Sequence, residues 1–323
     1  MNVRLQDGTV KVVRPVSPTI KSVCDTVVLM RNFLRSLALF PVALTGLYVK
    51  ALGRLRPSWA HLLSDQIYVN NLAETTTVTH ESSDKSQRVT IVLHTPNAVC
   101  RWRAESFSAK EPETLKWIEE YGGHGAFFDV GANIGLYSLY YAKLYSDQVY
   151  SFEPSVFNLG LLAKNIYVNS MSERINVVPI PLSSEDQIAG MRMSGVQEGG
   201  ALSTFGAAYG HDGKELDVQM TYRMPGLRLD TLLASDMISE PPSMIKIDVD
   251  GIEHLILSGA QSTLRSPTLR SVLVEVDDEF RDLASGVAQH LTEAGFQLKA
   301  KLHSEMFDSD AFSTSFNQIW VRP

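Results

Sequence analysis

The sequence predicts an α/β fold: a mostly parallel sheet with helices on both faces, plus a helical N-terminal segment. Three observations predict it. From Ala126 to the C-terminus, short apolar runs alternate with stretches of helical periodicity. The first run, AFFDV, enters the glycine-bearing turn GANIG and then a helix, as doubly wound sheets do at their ligand edge. Carboxylates stand at the ends of three of the runs, as Asp129, Glu153 and Asp248.

The elements follow in order. Residues 1–65 read as a basic, helical segment. Within it SLALFPVALTGLYV runs without a charge, flanked by Arg31, Arg35, Lys50, Arg54 and Arg56. That run falls short of the roughly 20 apolar residues a membrane-spanning helix needs. Two readings stand: a hydrophobic helix packed on the main domain or across a homodimer, and an interfacial helix giving peripheral membrane contact through residues 31–56. Residues 66–125 form a strand and helix lead-in. There β-branched runs broken by ESSDKSQ, within the stretch from Gln66 to Trp102, predict short antiparallel strands. KEPETLKWIEEY predicts a helix with Pro112 in its first turn and Glu111 and Glu113 at its positive end.

Residues 126–323 form the main domain. Its strands are AFFDV, VYSFE, INVVPIPL, MIKIDV and SVLVEV, with FQLKAKL and FNQIWVR as terminal strands. Helices intervene, one with Leu159, Leu162 and Ile166 on one face, one with Ile252, Leu255, Ile256 and Gly259, and one with Val287, Leu291 and Ala294. A glycine-rich insertion at about 190–228 interrupts the alternation over the active edge.

Bulk properties narrow the classes. With 44% hydrophobic and 20% charged residues, the chain can bury a full core. A net charge of −7 argues against nucleic acid as a partner. Two cysteines, Cys24 and Cys100, with no Cys/His cluster, predict no metal site and no disulfide framework. A cytoplasmic protein, membrane-associated or not, fits best.

The turn after AFFDV reads D-x-G-x-N-x-G: Asp129, Gly131, Asn133, Gly135. Glycine permits a sharp bend and close backbone approach, and Asn is the next best residue at positive φ. The nicotinamide fingerprint needs G-x-G-x-x-G, which is absent. S-adenosyl-L-methionine has no pyrophosphate to cradle but carries an ammonium that Asp129 can pair with. Glu153, at the end of the second strand, can accept both hydrogen bonds of a ribose diol.

These residues resemble the FkbM family of methyltransferases. The matching stretches are KEPETLKWI, DVGANIGLYS, VYSFEPSVFN with KNIYVN, and MIKIDVDGIEHLILSGA, from roughly Lys110 to Ala260. The resemblance implies a Rossmann-like class I methyltransferase sheet, S-adenosyl-L-methionine as methyl donor, and O-methylation of a hydroxyl on a sugar, glycolipid or secondary metabolite. The acceptor is then a small molecule or glycan. Carried over, Asp129, Gly131, Asn133 and Gly135 surround the methionine end, Glu153 holds the ribose, Asn158 supports the ribose edge and Ser183 lies near the adenine. One position departs: the family more often carries Glu where this chain has Asp250.

For chemistry, an alcohol must lose its proton, so a general base within reach accelerates transfer by roughly 10²–10⁴. Asp248 in IKIDVDG is the candidate base or substrate anchor, with Lys246 on the same strand face to pair with it or orient the hydroxyl. Asp250 and Glu253 read as a capping box, and Asp230 as a similar cap. His254 and His303 read as satisfied or exposed lone histidines. Gly199-Gly200 reads equally as a mobile lid or an ordinary loop. Two other classes remain: a nicotinamide-dependent sugar oxidoreductase or epimerase, and a non-catalytic nucleoside-binding protein.

Overall fold

The computed structural model describes residues 2–4, 10–12, 44–51, 54, 57–308 and 312–323. Two compact units comprise residues 1–71 and 72–323.

In the first unit, strand Asn2–Arg4 pairs antiparallel with Val10–Val12, so the segment is not purely helical. The Asp7-Gly8 pair between them in the sequence is a hairpin signal. Residues 44–51 are helical, with Leu44, Leu47 and Tyr48 exposed on one helical face. The remainder of the apolar run, 36–43, lies outside the described residues. A second helix, Pro57–Ala73, carries the helical region past the expected boundary at 65, making QIYVNN helix rather than strand. It starts on Pro57 and meets no further Pro or Gly. Among the described residues, no helix is long and apolar enough to cross a membrane.

The second unit begins with an antiparallel hairpin, β1 (Thr75–Glu81) and β2 (Arg88–His94). Helix α1 (Ala98–Glu105) follows where the sequence reading placed strand residues; Asn97 caps it by accepting from the Cys100 N–H. Helix α2 (Pro112–Tyr121) starts on Pro112 as expected.

The main sheet contains β3 (Ala126–Val130), β4 (Val149–Phe152), β5 (Ile175–Val178), β9 (Pro242–Ile247), β10 (Ser271–Asp277), β11 (Gln297–Leu302) and β12 (Ser315–Val321). Strands β6 (Gln187–Met193), β7 (Ser203–Phe205) and β8 (Met220–Gly226) form a separate antiparallel sheet in the order β8-β6-β7. This is the expected insertion, begun slightly earlier. The main order is β11-β12-β10-β9-β3-β4-β5, parallel except for β12, which runs antiparallel to both neighbours. The order reverses between β3 and β9, the switch point where such sheets bind ligands beyond their carboxyl ends.

Side-chain alternation sorts the two faces. Phe127, Val149, Met244 and Leu273 pack one way, against α2, α3 (Leu136–Leu144), α4 (Val156–Val168) and the β1–β2 hairpin. Phe128, Phe152, Ile245 and Val274 pack the other way, against the later helices, including Arg281–Glu293, and the insertion. On α4 the buried face is Asn158, Leu161, Leu162, Asn165 and Ile166, with Leu159 only half-buried. Asn165 on that face and the helix's C-cap residue Asn169 close the hairpin's open edge. Asn165 Oδ1 accepts from His94 N at 2.8 Å, and Asn169 Oδ1 from Val92 N at 3.0 Å.

Candidate active site

A cavity of about 450 Å³ opens at the carboxyl ends of the central strands, within the usual size of a small-molecule site. Four strand tips line it in spatial order: Glu153 after β4, Gly131 after β3, Asp248 after β9 and Glu275 on β10. At about 4.8 Å per strand, Glu153 and Asp248 lie about 10 Å apart across the switch point.

The turn after β3 is built for close approach. Gly131 has φ +88°, and a Cβ there would run into the Asp248 carbonyl oxygen, so β3 and β9 meet backbone to backbone. Asn133 sits at φ 51°. Its N–H donates to Glu153 Oε2 at 2.7 Å and its Nδ2 to the Gly200 carbonyl at 2.8 Å. Glu153, 5% exposed, also accepts from Ser155 N at 2.8 Å. Burial pushes its carboxyl up to about 7, against the pull of those N–H groups.

At the other side, Lys246 is 1% exposed and donates to Asp248 Oδ2 at 2.6 Å. Its ammonium lies 4.9 Å over the Tyr137 ring. Burial would strip the Lys246 proton, but Asp248, Glu111 and Asp129 outweigh it and raise the pKa. Burial likewise opposes the Asp248 charge, yet Lys246 and Lys110 hold its carboxyl down at about 2. Glu275 is pushed well above the usual range by burial and by Asp248, with which it shares a hydrogen bond. Lys110 pairs with Glu111, whose carboxyl stays below its ordinary value despite burial.

The family model of the methyltransferase FkbM domain matches residues 129–298, just over half of the chain. The chain belongs to the FkbM methyltransferase family. Its fold is similar to an FkbM methyltransferase from Methylobacillus flagellatus KT, at 15% identity and a TM-score of 0.44, over 71% of this chain and 54% of that one. This chain thus spans about half the length of that relative. A precorrin-6y C5,15-methyltransferase from Geobacter metallireducens GS-15 gives 12% identity and a TM-score of 0.38 over 65% and 86% of the two chains. A ribosomal protein L11 methylase from Lactobacillus delbrueckii subsp. bulgaricus gives 13% and 0.39 over 66% and 78%. No curated protein matches the sequence.

In this chain, Gly131, Asn133, Glu153, Asn158, Lys246 and Asp248 all line the cavity. Three expected residues do not. Asp129, 1% exposed, sits behind the turn, where Ser138 Oγ donates to its Oδ2 at 2.6 Å. Burial raises its carboxyl, and its Oδ1 has no partner among the described residues. Gly135 is a packing glycine: at φ +91°, a Cβ would lie 2.6 Å from Leu162 Cδ1. Ser183 is buried and accepts from Gln187 Nε2 at 3.0 Å; the neighbouring Ile180, Pro181 and Leu182 line the cavity instead. Asp129 faces away because successive side chains at a strand end alternate in direction.

Asn158, on the cavity lining beside Glu153, also holds the insertion. Its Oδ1 accepts from Gly199 N at 2.9 Å and its Nδ2 donates to Gly200 O at 3.2 Å. Arg103 Nε donates to Gly199 O at 2.7 Å. The Gly199-Gly200 segment is thereby pinned over the cavity. Asp250 does not cap the helix after it. At φ 64°, it turns its Oδ2 to the N–H groups of Leu202, at 2.8 Å, and Ser203, at 3.2 Å. Glu253 alone reaches back, accepting from Val249 N at 3.0 Å. Asp230 caps a neighbouring helix, Gln261–Arg265, through Ser262 and Thr263. His303 does line the cavity, with Nδ1 2.8 Å from the Ser315 carbonyl; His254 does not.

Lys110, Glu111, Glu275 and Asn317 also line the cavity, beyond the residues expected from the sequence. Glu275 was findable, since SVLVEV carries an acid near a strand end, as VYSFE does. Asn317, near the start of an antiparallel strand far along the chain, carried no such signal. Among the described residues, no cluster of His, Cys, Asp or Glu is arranged to hold a metal ion.

The residues fit a sulfonium nucleoside by three observations. Asn133, on the cavity lining, carries an Oδ1 that is a buried acceptor without a partner among the described residues. The bare Gly131 nearby gives a backbone cradle. Glu153 offers carboxylate lone pairs to a diol.

Proposed function

We propose that this chain transfers a methyl group from S-adenosyl-L-methionine to a hydroxyl of a sugar, glycolipid or secondary metabolite. The observation that carries the reading is Glu153 at one strand tip and the Lys246–Asp248 pair two strands away, on one cavity across the switch point. When bound, the donor supplies an electrophilic methyl on a sulfonium whose charge is lost on transfer. Glu153 holds the ribose, Gly131 and Asn133 hold the methionine end, and Asp129 lends negative charge from behind.

Asp248 anchors rather than deprotonates. A carboxylate locked to a buried ammonium and held at about 2 is a weak base. It accepts the acceptor's O–H, fixes its oxygen in line and stabilises the charge that develops on it. Once the methyl has been transferred, the now strongly acidic proton on the methylated oxygen passes to the Asp248 carboxylate that already accepts it, and on to solvent.

Calorimetric titration with S-adenosylmethionine, together with mass spectrometry of cell extracts for a product one methyl heavier, tests this. Tight binding of NADH without binding of S-adenosylmethionine would instead support an oxidoreductase. Donor binding with no methylated product would support a nucleoside-binding protein.

The exposed face of Leu44, Leu47 and Tyr48, beside Lys50 and Arg54, supports peripheral membrane contact through residues 31–56. Co-sedimentation with anionic vesicles tests it, and absence from the pellet would remove it.

A further inference from the structure

We infer that the acceptor carries a protonated amino group, received by a subsite of Glu113, Glu275 and Asn317 at the far end of the cavity. The inference rests on reading the cavity as a methyl-transfer site.

Strand pairing sets the group. Glu275 on β10 lies opposite Asn317 on β12. Asn317 Nδ2 donates to Glu113 Oε1 at 2.8 Å, which fixes the amide's orientation and leaves Oδ1 as its remaining acceptor. Asn317 is 5% exposed and lines the cavity, and its Oδ1 has no partner among the described residues. A buried amide oxygen in that state calls for a donor from elsewhere.

Charge points the same way. Lysines at this end are committed: Lys110 to Glu111 and Lys246 to Asp248. Glu113 and Glu275 form no ion pair among the described residues, and burial raises both carboxyls. His303 and Lys110 face the same space, as do Phe307 and Phe312.

The three groups are therefore acceptors, or become acceptors when a cation ionises them. An ammonium supplies three N–H donors and no lone pair, so it can serve Asn317 Oδ1, Glu113 and Glu275 together, whereas a hydroxyl supplies one donor. Glu275 stands one strand spacing, about 5 Å, from Asp248. The amine and the methylated hydroxyl are then close neighbours, as in an amino sugar.

The test uses the full chain with S-adenosylhomocysteine present and D-glucosamine, N-acetyl-D-glucosamine and D-glucose as probes, by calorimetry. Glucosamine should bind at least about tenfold tighter than the other two, the worth of one charge-assisted hydrogen bond. Glu275→Gln and Asn317→Leu should abolish that preference while keeping wild-type affinity for S-adenosylhomocysteine. If Asn317→Leu does not fold, Asn317→Asp, which keeps an acceptor oxygen and adds charge, should retain the preference. Glucosamine binding no tighter than glucose, in protein that binds S-adenosylhomocysteine, would overturn the inference. Failure of the wild type to bind S-adenosylhomocysteine would overturn the donor reading beneath it.

Discussion

The Asn133 backbone N–H donates to Glu153 Oε2 across 2.7 Å, tying the glycine-bearing turn to the tip of the neighbouring strand. Two motifs twenty residues apart in sequence thereby become one rigid wall of the cavity. A rigid wall matters because a carboxylate whose position is fixed loses little freedom when it receives a diol.

Glu153→Ala should weaken S-adenosylmethionine binding by about tenfold to a hundredfold, the worth of hydrogen bonds to a charged group. Calorimetry checks it, and unchanged affinity would remove Glu153 from the donor site.

Burial pushes Glu153 and Glu253 each from 4.5 up to about 7. The folded protein then keeps protons that the unfolded chain releases. Their stabilising contribution is complete below about 4.5 and is lost as pH rises through about 7. Urea midpoints should therefore fall between about pH 5 and pH 8, and Glu153→Gln should shrink that fall.

Asp248→Asn should keep donor affinity while lowering turnover by about 10²-fold or more. It also strands the buried Lys246 ammonium, so a drop in melting temperature should accompany it. Because Asp248 is held at about 2, it should contribute no rising limb to the turnover profile above about pH 4. A limb that vanishes in Asp248→Asn would restore it as the base.

Gly131→Ala should destabilise by at least about 1–3 kcal/mol from its backbone conformation alone, with the clash on Asp248 added. Gly160→Ala, with nothing within 4 Å of the added carbon on helix α4, should be neutral or stabilising by up to about 1 kcal/mol. Chemical denaturation of the two variants separates a required glycine from a tolerated one.

Asn158→Ala should free the Gly199 N–H from its partner. Hydrogen exchange at that amide should rise, and the donor KM should rise with it. Unchanged exchange would show that Arg103 and Asn133 hold the segment without it.

Much of this was legible in the chain. The five parallel strands and the turn after Asp129 follow from local rules: apolar runs of strand length, helical spacing between them, and glycine where φ is positive. Glu153 and Asp248 followed from one more rule, that parallel strands present their ends to ligand. The same rule applied to SVLVEV points to Glu275. Asp129 shows the limit of pattern alone. A strand's last residues alternate between cavity and core, and the sequence does not say which way that acid faces.

What the sequence determined by itself is the order of strands and helices from Ala126 onward, the glycine-bearing turn and the family, because each is encoded in short local stretches. Only the tertiary structure decided what meets what across the cavity. Asn158 and Asp250 bond to the insertion, Lys246 pairs with Asp248, and Asn317 faces Glu113 from some 200 positions away. Those roles depend on distances in space and on burial in low dielectric, and neither quantity exists until the sheet has closed.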